Sequence, residues 1–519
     1  MLHRFVRRLL PGLVLVAPLW AGLPNPIRVE TGLLEGAPGR QPGVISFKGI
    51  PYAAPPVGEL RWRAPRPPAK WTGVRRADQF SPGCTQRRTG AFGPWSAEYI
   101  SKAGMEGGSS EDCLYLNLWT AAKAANEKRP VFVWIHGGGF TGGSGDVPVY
   151  DGEGLAAKGV IMVTINYRLG VLGFLAHPEL TSESGKNASG NYAILDAIQA
   201  LEWVHRNVAA FGGDPGNVTI AGQSAGAFMV GYLVASPLAK GLFHRAIAES
   251  GGAFMKTANL REAQERGAKF AHSFNAATLA ELRAKPSEAF LTAGQGMQFG
   301  PIVDGYVVPK DARSIFSGGE QDDVPVLTGW NADDVVMFGP PAKAQQFIEE
   351  SHKRYGALAE QFLKAFPATD DQTAAASQRA ASRDQIFAWQ SRTWARLQNK
   401  TGKSKVYLYY FDHTAPGSPE QVRFRAFHSG EIPFALNTLA EWNRPWGPAD
   451  RKLADVMSTY WVNFARTGDP NGGGLPAWPA YTPGNERSVH LAGQVEAIAT
   501  PDGQQLDFFD QVDSPLPEH

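Results

Sequence analysis

The amino-acid sequence predicts an α/β fold: a mostly parallel central sheet flanked by helices. Three observations carry this expectation. Short runs of strand length recur along the chain, amphipathic helical segments lie between them, and the runs are continuously apolar rather than alternating. Strands buried on both faces read that way, and such burial belongs to parallel sheets covered by right-handed crossover helices.

The first clear strand is Val131-Phe132-Val133-Trp134-Ile135, bounded by Pro130 and a glycine cluster. Val160 to Ile165, Val218 to Ala221, Ala246 to Ala248, Val326 to Thr328 and Val406 to Phe411 read alike. From Asn191 to Val208, the residues Leu195, Ile198, Leu201, Val204 and Val208 recur at three- and four-residue spacing, which is one face of a helix. Gly212-Gly213 and Pro215 end it. A second helix is expected from Ala225 to Ala235. Ile50 to Gly58 and the proline-rich Pro65 to Pro68 read as ordered loop. Ala258 to Ala289 and Ala342 to Gln398 read as helical insertions over the sheet. No repeat or long low-complexity linker interrupts the chain, so residues 23–519 are expected to form a single domain.

The chain of 519 residues is 43% hydrophobic and 19% charged, enough apolar material for a large core. Fifty Lys+Arg against 49 Asp+Glu leave a formal charge of +1, which argues against a nucleic-acid partner. Residues 1–22 read as a signal peptide. Arg4, Arg7 and Arg8 precede an apolar stretch from Leu9 to Ala21 that is short and broken by Pro11 and Pro18. Export to a secreted or periplasmic location is expected, with no integral membrane span in the mature chain. The two cysteines, Cys84 and Cys113, are too few for a Cys-only zinc site, and in an exported chain a single disulfide is their natural use.

Gly222-Gln223-Ser224-Ala225-Gly226 stands between a predicted strand and a predicted helix. A serine at such a turn is held proud of the sheet in strained geometry, flanked by glycines because side chains there would collide with neighbouring elements. That arrangement serves a nucleophile. A serine hydroxyl needs a histidine to take its proton and a carboxylate to hold that histidine. Where a serine on such a turn attacks, the acid comes after it in the chain and the histidine later still. His428 fits the base, with His413 as its competitor. For the acid, the loop after Val326 to Gly329 ends in Asp333-Asp334, and Asp304 is an alternative. His136-Gly137-Gly138-Gly139-Phe140 comes after a buried strand, and its N–H groups, with that of Ala225, can bind a tetrahedral oxyanion.

These segments resemble the type-B carboxylesterases, the cholinesterase-like branch of the α/β-hydrolases. The resemblance runs from about Thr31 to Tyr481. It includes Phe47 to Ala53, Glu111-Asp112-Cys113-Leu114-Tyr115-Leu116-Asn117, Asn166-Tyr167-Arg168-Leu169-Gly170, the serine turn, Phe427-His428 with Glu431, and Trp461 to Arg466. It implies an α/β-hydrolase fold and hydrolysis of small-molecule carboxylic esters without metal or cofactor. Lipase, thioesterase or amidase activity would use the same machinery, and non-catalytic binding relatives lack its residues. It further implies Ser224 as nucleophile, His428 as base, Asp334 as acid where glutamate is usual, an oxyanion hole from Gly138, Gly139 and Ala225, and a Cys84–Cys113 disulfide. Asp334 is one methylene short, so its loop must come closer to His428, or Asp333 takes the role. Gln223 replaces a common glutamate, which weakens the case for a cationic substrate. Phe140, Gln223 and Trp330, with Phe92 or Trp95, are candidate substrate contacts. Which ester is cleaved and the oligomeric state are not legible.

Overall fold

The structure, a computed structural model, describes residues 23–101, 108–292, 296–336 and 340–512. The expected signal peptide lies outside them. Thirteen described strands form one sheet. They are β1 (Ile27–Val29), β2 (Gly32–Pro38), β3 (Ile45–Pro51), β4 (Val74–Ala77), β5 (Tyr115–Thr120), β6 (Arg129–Ile135) and β7 (Ile161–Ile165). β8 (Gly213–Gln223), β9 (Arg245–Glu249), β10 (Val326–Asn331), β11 (Val406–Phe411), β12 (Arg487–Leu491) and β13 (Val495–Ala499) complete it. Their order is β1-β2-β3-β5-β7-β6-β8-β9-β10-β11-β12-β13, with β4 beside β2. From β7 through β12 every neighbour pair is parallel, and the path through β1, β2, β3, β5 and β7 is antiparallel.

All six runs read as strands in the sequence are strands. Their continuous apolar character reflects two-sided burial. On β6, Val131, Val133 and Ile135 face one core layer while Phe132 and Trp134 face the other. Helix α1 (Tyr192–Asn207) contributes Ile194, Leu201 and Val204 to the first layer. It runs on through a 3₁₀ turn to Phe211 before Gly212 breaks it at φ +83°. Helix α2 (Ala225–Ala235) succeeds the serine turn as expected. The two helical insertions are also present. The second contains α3 (Asp371–Arg383) and α4 (Trp389–Thr401), separated by a π-helical turn over Asp384–Ala388. Helix α5 (Pro448–Thr467) covers the second layer with Leu453, Met457 and Trp461.

One expectation is corrected. Ile50 and Pro51, expected in loop, end strand β3, while Pro65 to Pro68 is irregular as expected. Pro51 closes the strand, a position where its missing N–H does not break the ladder. The strands on this flank are short or poor in β-branched residues, so their composition does not announce them.

A last helix, α6 (Gly503–Val512), is clamped to α4. Arg392, almost wholly buried, reaches Asp507 and Asp510 at 2.9 Å each, and the Trp389 indole N–H donates to Asp510 at 2.8 Å. No helix among the described residues is long and apolar enough to cross a membrane.

Cys84 and Cys113, 29 residues apart in sequence, form a disulfide. Removing the cross-link frees a loop of that length in the unfolded chain, worth up to about 3 kcal/mol. Replacing both cysteines with serine should lower the urea midpoint accordingly. Unchanged unfolding, or two free thiols by intact mass in protein from an oxidising compartment, would contradict the cross-link's role.

Candidate active site

The C-terminal ends of the parallel strands point the same way, and open α/β sheets bind ligands at that edge. Ser224 comes directly after β8. It adopts φ 57°, ψ −125°, a strained backbone for a non-glycine residue. The turn is forced by close packing. A Cβ on Gly226 would lie 2.0 Å from the Ile135 carbonyl oxygen, and one on Gly222 would lie 2.6 Å from the Gly226 carbonyl. The Ser224 N–H donates to the Glu249 carbonyl at 2.9 Å, which fixes the turn to β9.

The glycine run after β6 packs on this turn. A Cβ on Gly137 would meet the Gln223 carbonyl at 2.8 Å and the Ser224 Cβ at 3.1 Å. Gly138, Gly139 and Phe140 come next, with φ of 107°, 60° and 60°. Gly170 N–H holds the loop through the Phe140 carbonyl at 2.7 Å. Arg168, two residues before, is tied bidentately to the fully buried Asp196 of α1. The loop is thus anchored to the helix layer, with Gly137 packed against Gln223 and Ser224, and Gly138 and Gly139 next in the chain.

His428 lies in a loop with left-handed backbone at Arg425 (φ 51°) and Ser429 (φ 76°). Its Nδ1 is 2.5 Å from Asp334 Oδ1. The other Asp334 oxygen accepts the Ser250 hydroxyl at 2.6 Å and the Asn331 N–H at 3.0 Å. Asp334 is fully buried, and these three donors are what make a carboxylate there tolerable. The acid loop is also zipped to the histidine loop. Asp333 N–H donates to the Ala426 carbonyl at 3.0 Å, and Asn331 Nδ2 donates to the Phe427 carbonyl at 2.8 Å.

Asp333 turns away toward Arg425, 3.4 Å distant. Burial raises its carboxyl above the usual range against that arginine's pull. Asp304 caps its own turn, accepting the N–H groups of Tyr306, Val307 and Val308. His413 is paired with Asp450 at 2.7 Å. His136 is buried and stacked on Tyr167, and burial lowers it to about 4, so it is neutral and supports the glycine run.

Gln223, rather than Ser224 itself, makes the hydrogen-bond contact between the serine turn and the imidazole. Its amide nitrogen is 3.3 Å from both ring nitrogens and therefore aligned with neither lone pair. Trp95 meets the ring edge-on at 6.4 Å and pairs with Phe92 at 4.9 Å. Phe140 is half-buried against Phe174. Trp330 differs from its expectation as a substrate contact: it is fully buried on β10, edge-on to Tyr410, a core position.

Sequence reasoning misses three residues beside the pair. Ser250 stands at the end of β9 with φ 56°, and its place after a buried parallel strand is a readable signal. Asn331 ends β10 in the same way. Phe387, from the helical insertion, stacks on His428, and nothing local in its sequence announces that. Behind Asp334 lie two buried glutamates. Burial pushes Glu249, which accepts the Trp461 indole N–H at 2.7 Å, up to about 8. Burial, with Glu249 and Asp334 nearby, pushes Glu431 well above the usual range.

The profile of the carboxylesterase family matches residues 24–509. The fumonisin B1 esterase of Sphingopyxis macrogoltabida is 37% identical over 87% of this chain and 84% of its own. A medium-chain fatty acyl-CoA hydrolase precursor of Anas platyrhynchos is 36% identical over 90% of this chain and 87% of its own. A solved PNB esterase, 30% identical, superposes with a TM-score of 0.81 over 93% of this chain and 99% of that one.

The two aspartates separate by substitution. Asp334→Asn should keep the fold and lower turnover of a p-nitrophenyl ester by up to ~10⁴-fold through the wrong imidazole tautomer. Asp333→Asn should cost less than about tenfold, and the reverse ranking would move the acid to Asp333. Asp334→Glu should be active but reduced in the same assay, because a displaced carboxylate still offers charge without the Asp334 geometry.

Glu249 gives a pH prediction. Its carboxyl rises from 4.5 unfolded to about 8 folded, so it stabilises the fold fully below the lower value and loses that contribution as pH climbs through the upper one. Glu249→Gln, which keeps an acceptor for Trp461, should flatten the decline in urea midpoint between roughly pH 4.5 and about 8. An equally steep decline in the variant would place the titration elsewhere.

Proposed function

The chain belongs to the carboxylesterase family and is a carboxylic ester hydrolase, and we propose that it acts as a serine esterase through an acyl-enzyme built on Ser224, His428 and Asp334. The observation that carries this reading is the Asp334–His428 contact beside the strained Ser224 turn. Asp334 accepts the Nδ1 proton, which leaves Nε2 as the acceptor for the serine proton. As Oγ attacks the ester carbonyl, that proton passes to Nε2, and the imidazolium forms beside a fixed carboxylate. The carbonyl oxygen gains charge against the N–H groups of Gly138, Gly139 and Ala225. The tetrahedral adduct collapses, Nε2 returns the proton to the departing alcohol, and an acyl-serine remains. Water gives a proton to the same nitrogen as it attacks the acyl carbon, and Nε2 passes that proton to Oγ as the C–O bond breaks, releasing the acid and free Ser224. No step calls on a metal or organic cofactor.

The preferred substrates are esters without a permanent cation, because the residue touching His428 from the serine turn is the neutral amide of Gln223. The leaving group is open to test across oxygen esters and thioesters, the kinds of bond that the two named relatives suggest. Export to a secreted or periplasmic location is the companion proposal. Its support is the Arg4–Ala21 pattern in the sequence and the disulfide, a cross-link of oxidising compartments.

Ser224→Ala should fold normally and retain roughly a thousandth or less of wild-type activity on p-nitrophenyl esters. Retention of more than about a tenth would remove Ser224 from the chemistry. An acyl series of p-nitrophenyl esters, run beside a choline ester and an acyl thioester, ranks the substrate classes. A choline ester at the top would overturn the Gln223 argument.

A further inference from the structure

The π-helical turn Asp384–Ala388 lies between α3 and α4, so a single helical run continues past it with its register advanced. One inserted residue rotates the downstream helix by about 100°. Such turns have poor hydrogen-bond geometry and occur often where a functional side chain must be aimed. The side chain delivered here is Phe387. Its buried ring stacks on His428 with centroids 4.6 Å apart and planes 19° from parallel. Trp95 meets the same imidazole edge-on, at 82°.

We propose that Phe387 is a positioning residue for the imidazole, its ring face fixing the plane of His428 and stabilising the imidazolium formed in the transition state. This rests on the reading of His428 as general base. The Nδ1 hydrogen bond to Asp334 holds one edge of the ring, and the Gln223 amide, 3.3 Å from both ring nitrogens, lies along neither lone pair, so the polar contacts alone leave the ring plane loosely held. A parallel aromatic face at van der Waals distance fixes that plane. The same face carries the negative lobe of the ring quadrupole, which attracts a cation far more than a neutral ring. Its contribution is therefore larger in the transition state than in the resting enzyme, the condition for raising kcat. A leucine would fill most of the space and supply neither flat face nor quadrupole.

The charged groups on the surrounding elements do not duplicate this. Asp334 bonds the ring edge, with the Glu249 and Glu431 carboxyls behind it. Asp333 is paired with Arg425. At the end of α3, Arg383 pairs with the buried Asp384 of the π-turn at 2.7 Å and also with Asp502 at 2.7 Å. Replacing Phe387 changes none of these charges, so a shift in the acid limb of activity in its variants reports the aromatic face.

The test compares Phe387→Leu, Phe387→Met and Phe387→Tyr with wild type on a p-nitrophenyl ester, using active-site titration and pH profiles of kcat/KM. The leucine variant should lose about five- to twentyfold in kcat with KM within about twofold. Its acid limb should move to lower pH by ~0.5 unit, since the imidazolium loses a stabilising face. Tyrosine should restore kcat to within about twofold and return the limb. If the leucine variant fails to fold, methionine, unbranched and adaptable, carries the same comparison. Unchanged kcat and acid limb in the folded non-aromatic variant, or equal losses in Phe387→Tyr, overturn the proposal. His428→Ala separates the two readings. If it keeps more than about a tenth of activity, the base assignment falls and this proposal with it. If it is inactive while Phe387→Leu is unaffected, only the stacking role falls.

Discussion

The carbonyl oxygen of Ile135 occupies the space where a side chain on residue 226 would begin. With 2.0 Å between that oxygen and an ideal Cβ, α2 can press its first turn onto the end of β6 only if residue 226 is glycine. The chain must then reverse within Ser224 itself, which accounts for a backbone that few serines adopt. The loop leaving β6 begins at the same contact, so Gly137 touches the serine turn at once. The candidate nucleophile and the glycine loop beside it are thereby set by one packing contact. A small shift of α2 would move both together and keep their mutual geometry.

Asp334 and His428, the proposed acid and base, are joined by a different device. An aspartate in place of the usual glutamate falls short by one carbon–carbon bond, roughly 1.5 Å. The deficit is met by backbone. The loop after β10 pairs with the strand-like residues before His428 through Asp333, and the Asn331 side chain bridges to the Phe427 carbonyl. Ser250, from β9, holds the remaining carboxylate oxygen. Two strand ends and the histidine loop thus converge on one carboxylate. The cost of burying it is offset by donors that are themselves fixed in the sheet.

How legible each element is in the sequence depends on where its signal resides. The buried parallel strands show themselves because two-sided burial makes them continuously apolar, and the Val131 to Ile135 run is a strand for that reason. The serine turn and the glycine run are legible because backbone crowding leaves only glycine able to occupy those positions. Strands β1 to β5 are less so. Their residues answer to a mixed flank of short pairings, and Pro51 looks like loop until its distant partner strand at Tyr115 is known. Asp334 ranks above Asp333 in the sequence only through family resemblance, since adjacent carboxylates look alike until the fold turns one inward and the other toward Arg425. Ser250 and Phe387 act from other elements, at contacts that no local spacing encodes.

The clamp between α4 and α6 links the far end of the described chain to the imidazole. Arg392 and Trp389, which grip Asp507 and Asp510, lie on the helix that begins where the π-turn ends. During synthesis the serine, the acid and the histidine all leave the ribosome well before residue 503. Among the described residues, the helix that follows the π-turn finds acidic ion-pair partners for its buried arginine only on α6. The carboxylates that neutralise the buried Arg392 thus lie 115 and 118 residues beyond it, so the seating of the helix behind the π-turn and the docking of α6 are one event rather than two.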